Sequence, residues 1–332
     1  MLVFHDEPLR TQYAEVKERG LAAGDLLQGS PGTLVRHVRP DGVVSLCRAW
    51  SDSGTRREDY LGRDEPSVRE PAAARIEFAK WMQQRVTALR TLGFQVADKP
   101  TARVLVELHN ARLFQAGLVL VGTLAYMTHL NDAGVRLTTS RTLDVDVARP
   151  TALKLAAPKP FQPLLQATGL AFVPVPALSR NAPSTSLKLP GALGLRVDLL
   201  APAPRLGDAV SIPELAWHAQ GIPFYGYLLD DNVQTVALAG WQAIPVRVPD
   251  AARFVWHKLH SSQARRGRSD KATKDRRQAL MVAASLVRET PLHLDEAWKS
   301  APAALRRALQ PHRQRFVREL VAMEPDAAER FG

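Results

Sequence analysis

Residues 141–148 read RTLDVDVA, an alternating run in which Asp144 and Asp146 are interleaved with Leu143, Val145 and Val147. Alternation of this kind specifies a strand with one apolar face. It puts both aspartates on the other face, roughly 7 Å apart along the chain. Carboxylates are seldom buried without compensation, and two on one strand face repel unless a cation lies between them. A purely stabilising role would need a buried arginine for each, and the near candidate in the sequence is Arg141. The pair therefore reads as hard oxygen ligands of the kind Mg²⁺ prefers, with substrate phosphates completing its octahedron.

Upstream, LVLVGTLAYM (118–127) is an apolar strand ending at Gly122-Thr123, where a helix begins. Glycine lets the backbone approach an anion, the helix start presents free N–H groups, and Thr123 adds a hydroxyl and a cap. Downstream, GLRVDLLAP (194–202) is another strand, and its Asp198 can lie beside the first pair through ordinary sheet pairing. Three convergent carboxylates can hold two metal ions about 4 Å apart, the arrangement used for nucleotidyl transfer.

Farther out, residues 33–62 alternate around the Asp41-Gly42 turn and the polar SDSG (51–54). This predicts a three-strand meander too small to stand alone. Apolar residues at helical spacing after Pro71 (Ile76, Phe78, Met82, Val86, Leu89) predict a helix closed by Gly93, and a second runs from about Ala102 to Ala116. Beyond Gly117, short strands alternate with helices. PFQPLLQATG (160–169) is helical, while AFVPV (171–175) and STSLKLP (184–190) are extended. NDAGVRLTTSRT (131–142) is expected as a loop over the site, and IPFYGYLLD with TVALAGWQAIPVRVP as a hairpin turning at Asp231-Asn232. From Asp250 the chain reads as four helices: AARFVWHKLHSSQ, KDRRQALMVAASLVRE, LDEAWKSAPAALRRAL and HRQRFVRELVAM. The expected fold class is α+β, a mixed sheet with flanking helices. Its expected divisions are an N-terminal meander region (1–70), a core with leading helices (71–248) and a C-terminal helical region (249–332).

Gly122-Thr123 followed by Asp144-Val145-Asp146 resembles the signature of the DNA polymerase β-like nucleotidyltransferase superfamily. The resemblance implies that Asp144 and Asp146 bind Mg²⁺, with two ions in the site, and that a nucleoside triphosphate is the substrate. It also implies that Asp198 completes one metal site and helps to deprotonate the attacking hydroxyl. The gap between Gly122 and Asp144 is longer than in compact members. Arg141-Thr142 and the stretch FVWHKLHSSQARRGRSDKATKDRRQA (254–279) look like the bacterial abortive-infection-type nucleotidyltransferase toxins and their uncharacterised relatives. On that resemblance Arg141, Lys258, Lys274 and Asp275 face the nucleotide, with Lys274-Asp275 opening a helix. The implied acceptor is an RNA 3′ end such as that of tRNA, or else a protein hydroxyl. Whether a cognate antitoxin exists is not readable from the chain.

The 332-residue chain carries a net charge of +11, which favours a polyanionic partner. Its local concentration is at 257–277, where Lys258, Arg265, Arg266, Arg268, Lys271, Lys274, Arg276 and Arg277 oppose Asp270 and Asp275. Such a stretch can close on a triphosphate or follow an RNA backbone. For any single arginine, a solvated loop is the simpler reading. Lys258 differs, because WHKLH is an apolar helix surface. The lone cysteine, Cys47, excludes an intrachain disulfide and reads as a packed thiol. No apolar run is long enough to cross a bilayer and the N-terminus does not read as a secretory signal, so a cytoplasmic, membrane-free location is expected. His257, His260, His129 and His109 read as packing or hydrogen-bonding residues, as do Trp241 and Phe224-Tyr225, while Asp230-Asp231 reads as turn chemistry. Tyr126 is open to base stacking or to the core. Against the enzymatic reading stand two rivals, a non-catalytic protein on the same fold and a basic nucleic-acid binder.

Overall fold

The structure, a computed structural model, describes residues 2–52, 54–137, 142–177, 182–264, 269–290 and 292–328. Strand β1 (Val3–Phe4) leads into α1 (Glu7–Leu21), a helix the alternation pattern does not announce. Asp6 caps it by accepting from the Leu9 N–H, with Pro8 in the first turn. The meander forms as expected from β2 (Thr33–Val38), β3 (Val44–Asp52) and β4 (Thr55–Arg63), all antiparallel. It leans on the rest of the chain through buried Arg48, whose Nη2 donates to the Gln28 carbonyl at 2.8 Å.

Helix α2 (Pro66–Thr91) starts before Pro71, not after it. Pro66 occupies the first position, where no N–H is needed, and the helix tolerates Pro71 near its start at the loss of one backbone bond. Helix α3 (Lys99–Asn110) begins at its Asp98 cap and stops short of Ala116, because Arg112 enters the left-handed region at φ 64°.

Next come β5 (Val119–Leu120), α4 (Gly122–Asp132) and β6 (Val135–Arg136). Strand β6 pairs with β1, so part of the segment expected to loop over the site ties α4 to the N-terminus instead. Then β7 (Asp144–Ala148), α5 (Phe161–Gln166), β8 (Val173–Pro174), β9 (Ser186–Lys188), β10 (Arg196–Pro202), β11 (Ala209–Ile212) and β12 (Trp217–Ile222) follow. They complete a mixed sheet in the order β11-β12-β10-β7-β5, with β9 pairing to β10 and β8. Strand β10 runs parallel to both β7 and β12, and the other pairings are antiparallel.

The hairpin expected at Asp231-Asn232 turns elsewhere. Phe224 takes φ 60° and the chain enters α6 (Tyr225–Asp230). The hairpin itself is β13 (Asn232–Ala239) with β14 (Gln242–Pro249), and Ala239 pairs with Gln242 across Gly240-Trp241. Gly240 supplies the positive φ that a two-residue turn needs at its first central position. The C-terminal helices are α7 (Ala251–Ala264), α8 (Ser269–Glu289), α9 (His293–Ser300) and α10 (Ala303–Met323). The break after α9 falls at Ala301-Pro302, and Pro311 is carried inside α10.

The architecture is α+β, a mixed sheet flanked by helices. Val145, Val147, Val197, Leu199, Leu187 and Leu120 are fully buried and root the sheet in the main core. A smaller core of Tyr13, Val16, Met82, Val86, Phe94 and Val236 joins α1 and α2 to the hairpin. Among the described residues no helix is long and apolar enough to cross a membrane.

Candidate active site

The alternation in DVDVA and RVDLLAP is realised in the sheet: Val145, Val147, Val197 and Leu199 point into the core, leaving Asp144, Asp146, Arg196 and Asp198 half-buried on the opposite face. Parallel pairing of β7 with β10 makes Asp198 the register partner of Asp146 and Arg196 that of Asp144. Residues more than fifty positions apart are thereby brought to neighbouring strands, about 4.8 Å from one another.

Helix α4 starts against this face. The Val121 N–H donates to the Asp146 carbonyl at 2.9 Å, and Gly122 follows with φ 67°. A Cβ at 122 would overlap the Asp146 carboxylate, so only glycine admits the acid this close. Thr123 is buried, and its hydroxyl accepts from Gln278 Nε2 on α8 at 3.4 Å.

Helices α7 and α8 form the facing wall. Lys258 Nζ donates to Asp275 Oδ1 at 2.6 Å, the two side chains being 12% and 6% exposed. The ammonium also lies 5.6 Å from the Phe254 ring centroid. Because α8 begins at Ser269, Lys274 and Asp275 sit in its second turn rather than opening the helix. Burial, then the Lys258 charge, pulls the Lys274 amine below the ordinary lysine range, while Asp144, Asp275 and Asp146 pull it back up. Burial drives His257 down to about 3, and His260 and Lys258 push the same way, so its imidazole stays neutral; Nε2 lies 3.3 Å from the Pro223 carbonyl. Lys258, Lys271 and Lys274 line the cavity from this wall.

One cavity of about 390 Å³ is lined by Gly122, Thr123, Asp144, Asp146, Asp198, Lys258, Lys274 and Asp275. Of the expected site residues, Arg141 lies outside the described residues, as do Arg265, Arg266 and Arg268. The cavity also contains Arg196 and Gln220, which the sequence reading passed over, together with Lys271 of the basic stretch and Tyr225, read there as a packing residue. Arg196 was within reach, since it stands two places before Asp198 and must share its face. Its Nε donates to Asp198 Oδ1 at 2.8 Å and its Nη2 to Ser186 Oγ at 2.7 Å, and the Ser186 hydroxyl donates to that same Oδ1.

Tyr126 belongs to the core, where burial raises its phenol to about 12. His129 and His109 are buried as expected, the latter 2.9 Å from the Gly24 carbonyl. A separate set of possible ligand atoms, on His37, Cys47 and Glu58, lies on the meander. His37 Nε2 and Glu58 Oε2 are 2.8 Å apart, and Arg56 holds the other Glu58 oxygen at 2.7 Å, so this set is already an ion-paired cluster around a buried thiol.

Three carboxylates on one sheet face, with an anion cradle at Gly122-Thr123 and lysines opposite, fit a hard divalent cation together with a polyphosphate. A family model described as nucleotidyltransferase matches residues 99–303, more than half of the chain, and this stretch contains every residue lining the cavity. Comparisons with curated proteins and with solved structures returned no match.

Proposed function

The chain belongs to the nucleotidyltransferase family and is a transferase; from that premise we propose that it transfers a nucleoside monophosphate from a nucleoside triphosphate to a hydroxyl acceptor in the cavity between β7, β10, α4 and α7–α8. The register pairing of Asp198 with Asp146, beside the glycine that starts α4, carries this reading.

The triphosphate binds at the Gly122-Thr123 helix start. Lys258 and Lys274 neutralise its charge from the opposite wall, and Arg141 is assigned to the same task by its place in the sequence. Asp275 orients Lys258. Asp144, Asp146 and Asp198 would hold Mg²⁺, two ions by this proposal, and the bound metal would supply charge stabilisation at the α-phosphate and the leaving group. The acceptor oxygen bonds to the α-phosphorus as the bond to the bridging oxygen breaks. Pyrophosphate leaves, and the hydroxyl proton passes to Asp198.

For the acceptor we favour an RNA 3′ end, tRNA being the leading candidate, because the net charge of +11 and the lysines of α8 suit a polyanion. A toxin-like role in a bacterial cytoplasm accompanies that choice. The test is incubation with each α-labelled nucleoside triphosphate, Mg²⁺ and total RNA, alongside Asp146→Asn. Label entering RNA with the wild type, and falling by at least about 100-fold in the variant, supports the proposal. Label entering protein assigns nucleotidylation to the same site. A folded wild type that labels no acceptor while still binding RNA would sink the enzymatic reading and leave a nucleic-acid-binding protein.

A further inference from the structure

Resting on the metal-dependent reading above, we propose that Arg196 is the resident counter-ion of the carboxylate floor. It holds Asp198 while no divalent cation is bound, and it competes with the cation for that position.

The electrostatics of the sheet face favour such a group beside Lys274, whose charge also acts on Asp144 and Asp146. Asp144 and Asp146 are separated by roughly 7 Å along β7, and Asp198 stands about 4.8 Å across from Asp146. Three like charges at this spacing destabilise one another in the protein without metal. Arg196 is placed to offset them. It is the register partner of Asp144, so its side chain leaves the sheet on the same face, next to both strands' acids. The planar guanidinium, the Ser186 hydroxyl and Asp198 Oδ1 close a three-membered ring of hydrogen bonds. Ser186 is buried and anchors this ring in the core, whereas the Arg196 side chain is 38% exposed and free to swing toward solvent.

A cation on Asp198 lies in the field of the guanidinium, so either charge weakens the binding of the other. Once displaced, Arg196 still lines the cavity shared by Lys258 and Lys274, where a triphosphate offers it a replacement anion. Cation and nucleotide are thereby coupled: the metal is taken up well with the triphosphate and poorly ahead of it. Arg196 is a positioning residue on this account, since it acts on the reaction through Asp198.

The experiment titrates Mn²⁺ alone, as a paramagnetic probe, into wild type, Arg196→Met, Arg196→Lys and Asp146→Asn, with Tm measured in EDTA and at saturating Mn²⁺. Arg196→Met is expected to bind Mn²⁺ at least about tenfold more tightly than wild type, the size of one charge-assisted hydrogen bond. Its Tm should fall in EDTA and return toward wild type with Mn²⁺, while Arg196→Lys, which keeps the charge, stays near wild type in both readouts. An unchanged Mn²⁺ affinity in Arg196→Met, with Tm lowered equally in both conditions, reduces Arg196 to a structural partner of Ser186 and overturns the inference alone. If Asp146→Asn binds Mn²⁺ as wild type does, the metal-dependent reading itself falls and the inference with it; if none of the proteins, Arg196→Met included, binds Mn²⁺ alone, the inference is overturned.

Discussion

Gly122 and Asp146 are in direct contact: the acid occupies the space where a side chain on residue 122 would begin, and Gly122 holds φ 67° to permit it. The helix start and the strand bearing the two aspartates are thus fitted to each other through one missing methyl group.

Gly122→Ala should therefore fail on both counts, forcing an L-residue into the left-handed region and pushing the Asp146 carboxylate out of place. We expect a stability loss on the order of 1–3 kcal/mol and a fall in nucleotidyl transfer of at least about 100-fold. Urea denaturation and transfer assays on one preparation check this. A variant transferring at the wild-type rate would show that the close approach is dispensable.

Lys258 and Asp275 form a buried pair, and a buried charge left alone is worse than none. Asp275→Leu should cost about 3–5 kcal/mol by stranding the ammonium. The double variant Lys258→Met with Asp275→Leu should recover much of that stability, since both charges leave together. Transfer should not return with it, because the cation assigned to the triphosphate is gone. Recovery of transfer in the double variant would remove Lys258 from the reaction.

The acid limb of stability should be set in large part by two imidazoles. Burial lowers His129 to about 4 and His257 to about 3, against an ordinary value near 6.5. Between those values the unfolded chain binds more protons than the folded one, so stability falls as pH drops below about 6.5. At pH 5 each histidine should already have withdrawn about 2 kcal/mol relative to pH 7.5. Denaturation curves at the two pH values test this, and His129→Gln should remove about half of the loss. Equal stability at both would mean that the imidazoles are hydrated.

The carboxylate face was legible in part because a strand has a period of two, which puts Asp144 and Asp146 on one face, while Asp198 joins them through the β7–β10 register. The same rule places Arg196 beside Asp198, yet its role depends on the β7–β10 register and on Ser186 arriving from β9, neither of which is local. Lys258 stood out as a charge on an apolar helix. Helix α1 was hidden for the opposite reason: it buries only Tyr13, Val16 and Gly20, too few apolar positions to mark a face. The misplaced hairpin shows a strong local turn signal, Asp230-Asp231-Asn232, losing to Gly240-Trp241. The long apolar run on both sides of Gly240 can bury itself only by folding back there.

Beside its apolar contacts, α1 is held by a polar cluster, and that cluster can be tested. Asp132, at the end of α4, accepts from Tyr13 Oη at 2.7 Å, from Lys17 Nζ at 2.7 Å and from Thr235 Oγ1 at 2.8 Å. Burial first, and the neighbouring Asp132 charge second, raise the Tyr13 phenol well above its usual range, so it remains a donor throughout the accessible pH range. One carboxylate therefore joins α1, α4 and β13 behind the helix that begins at Gly122. Asp132→Ala strands a buried hydroxyl and leaves a half-buried ammonium without its partner, and should cost about 3 kcal/mol. Lys17→Met removes only a partly exposed charge from the same cluster and should cost about 1 kcal/mol or less. If the two variants are equally stable, the cluster does not anchor α1, and the apolar contacts of Tyr13 and Val16 suffice. If the ranking holds, hydrogen exchange in Asp132→Ala should rise first along α1, while the amides of β7 and β10 stay protected.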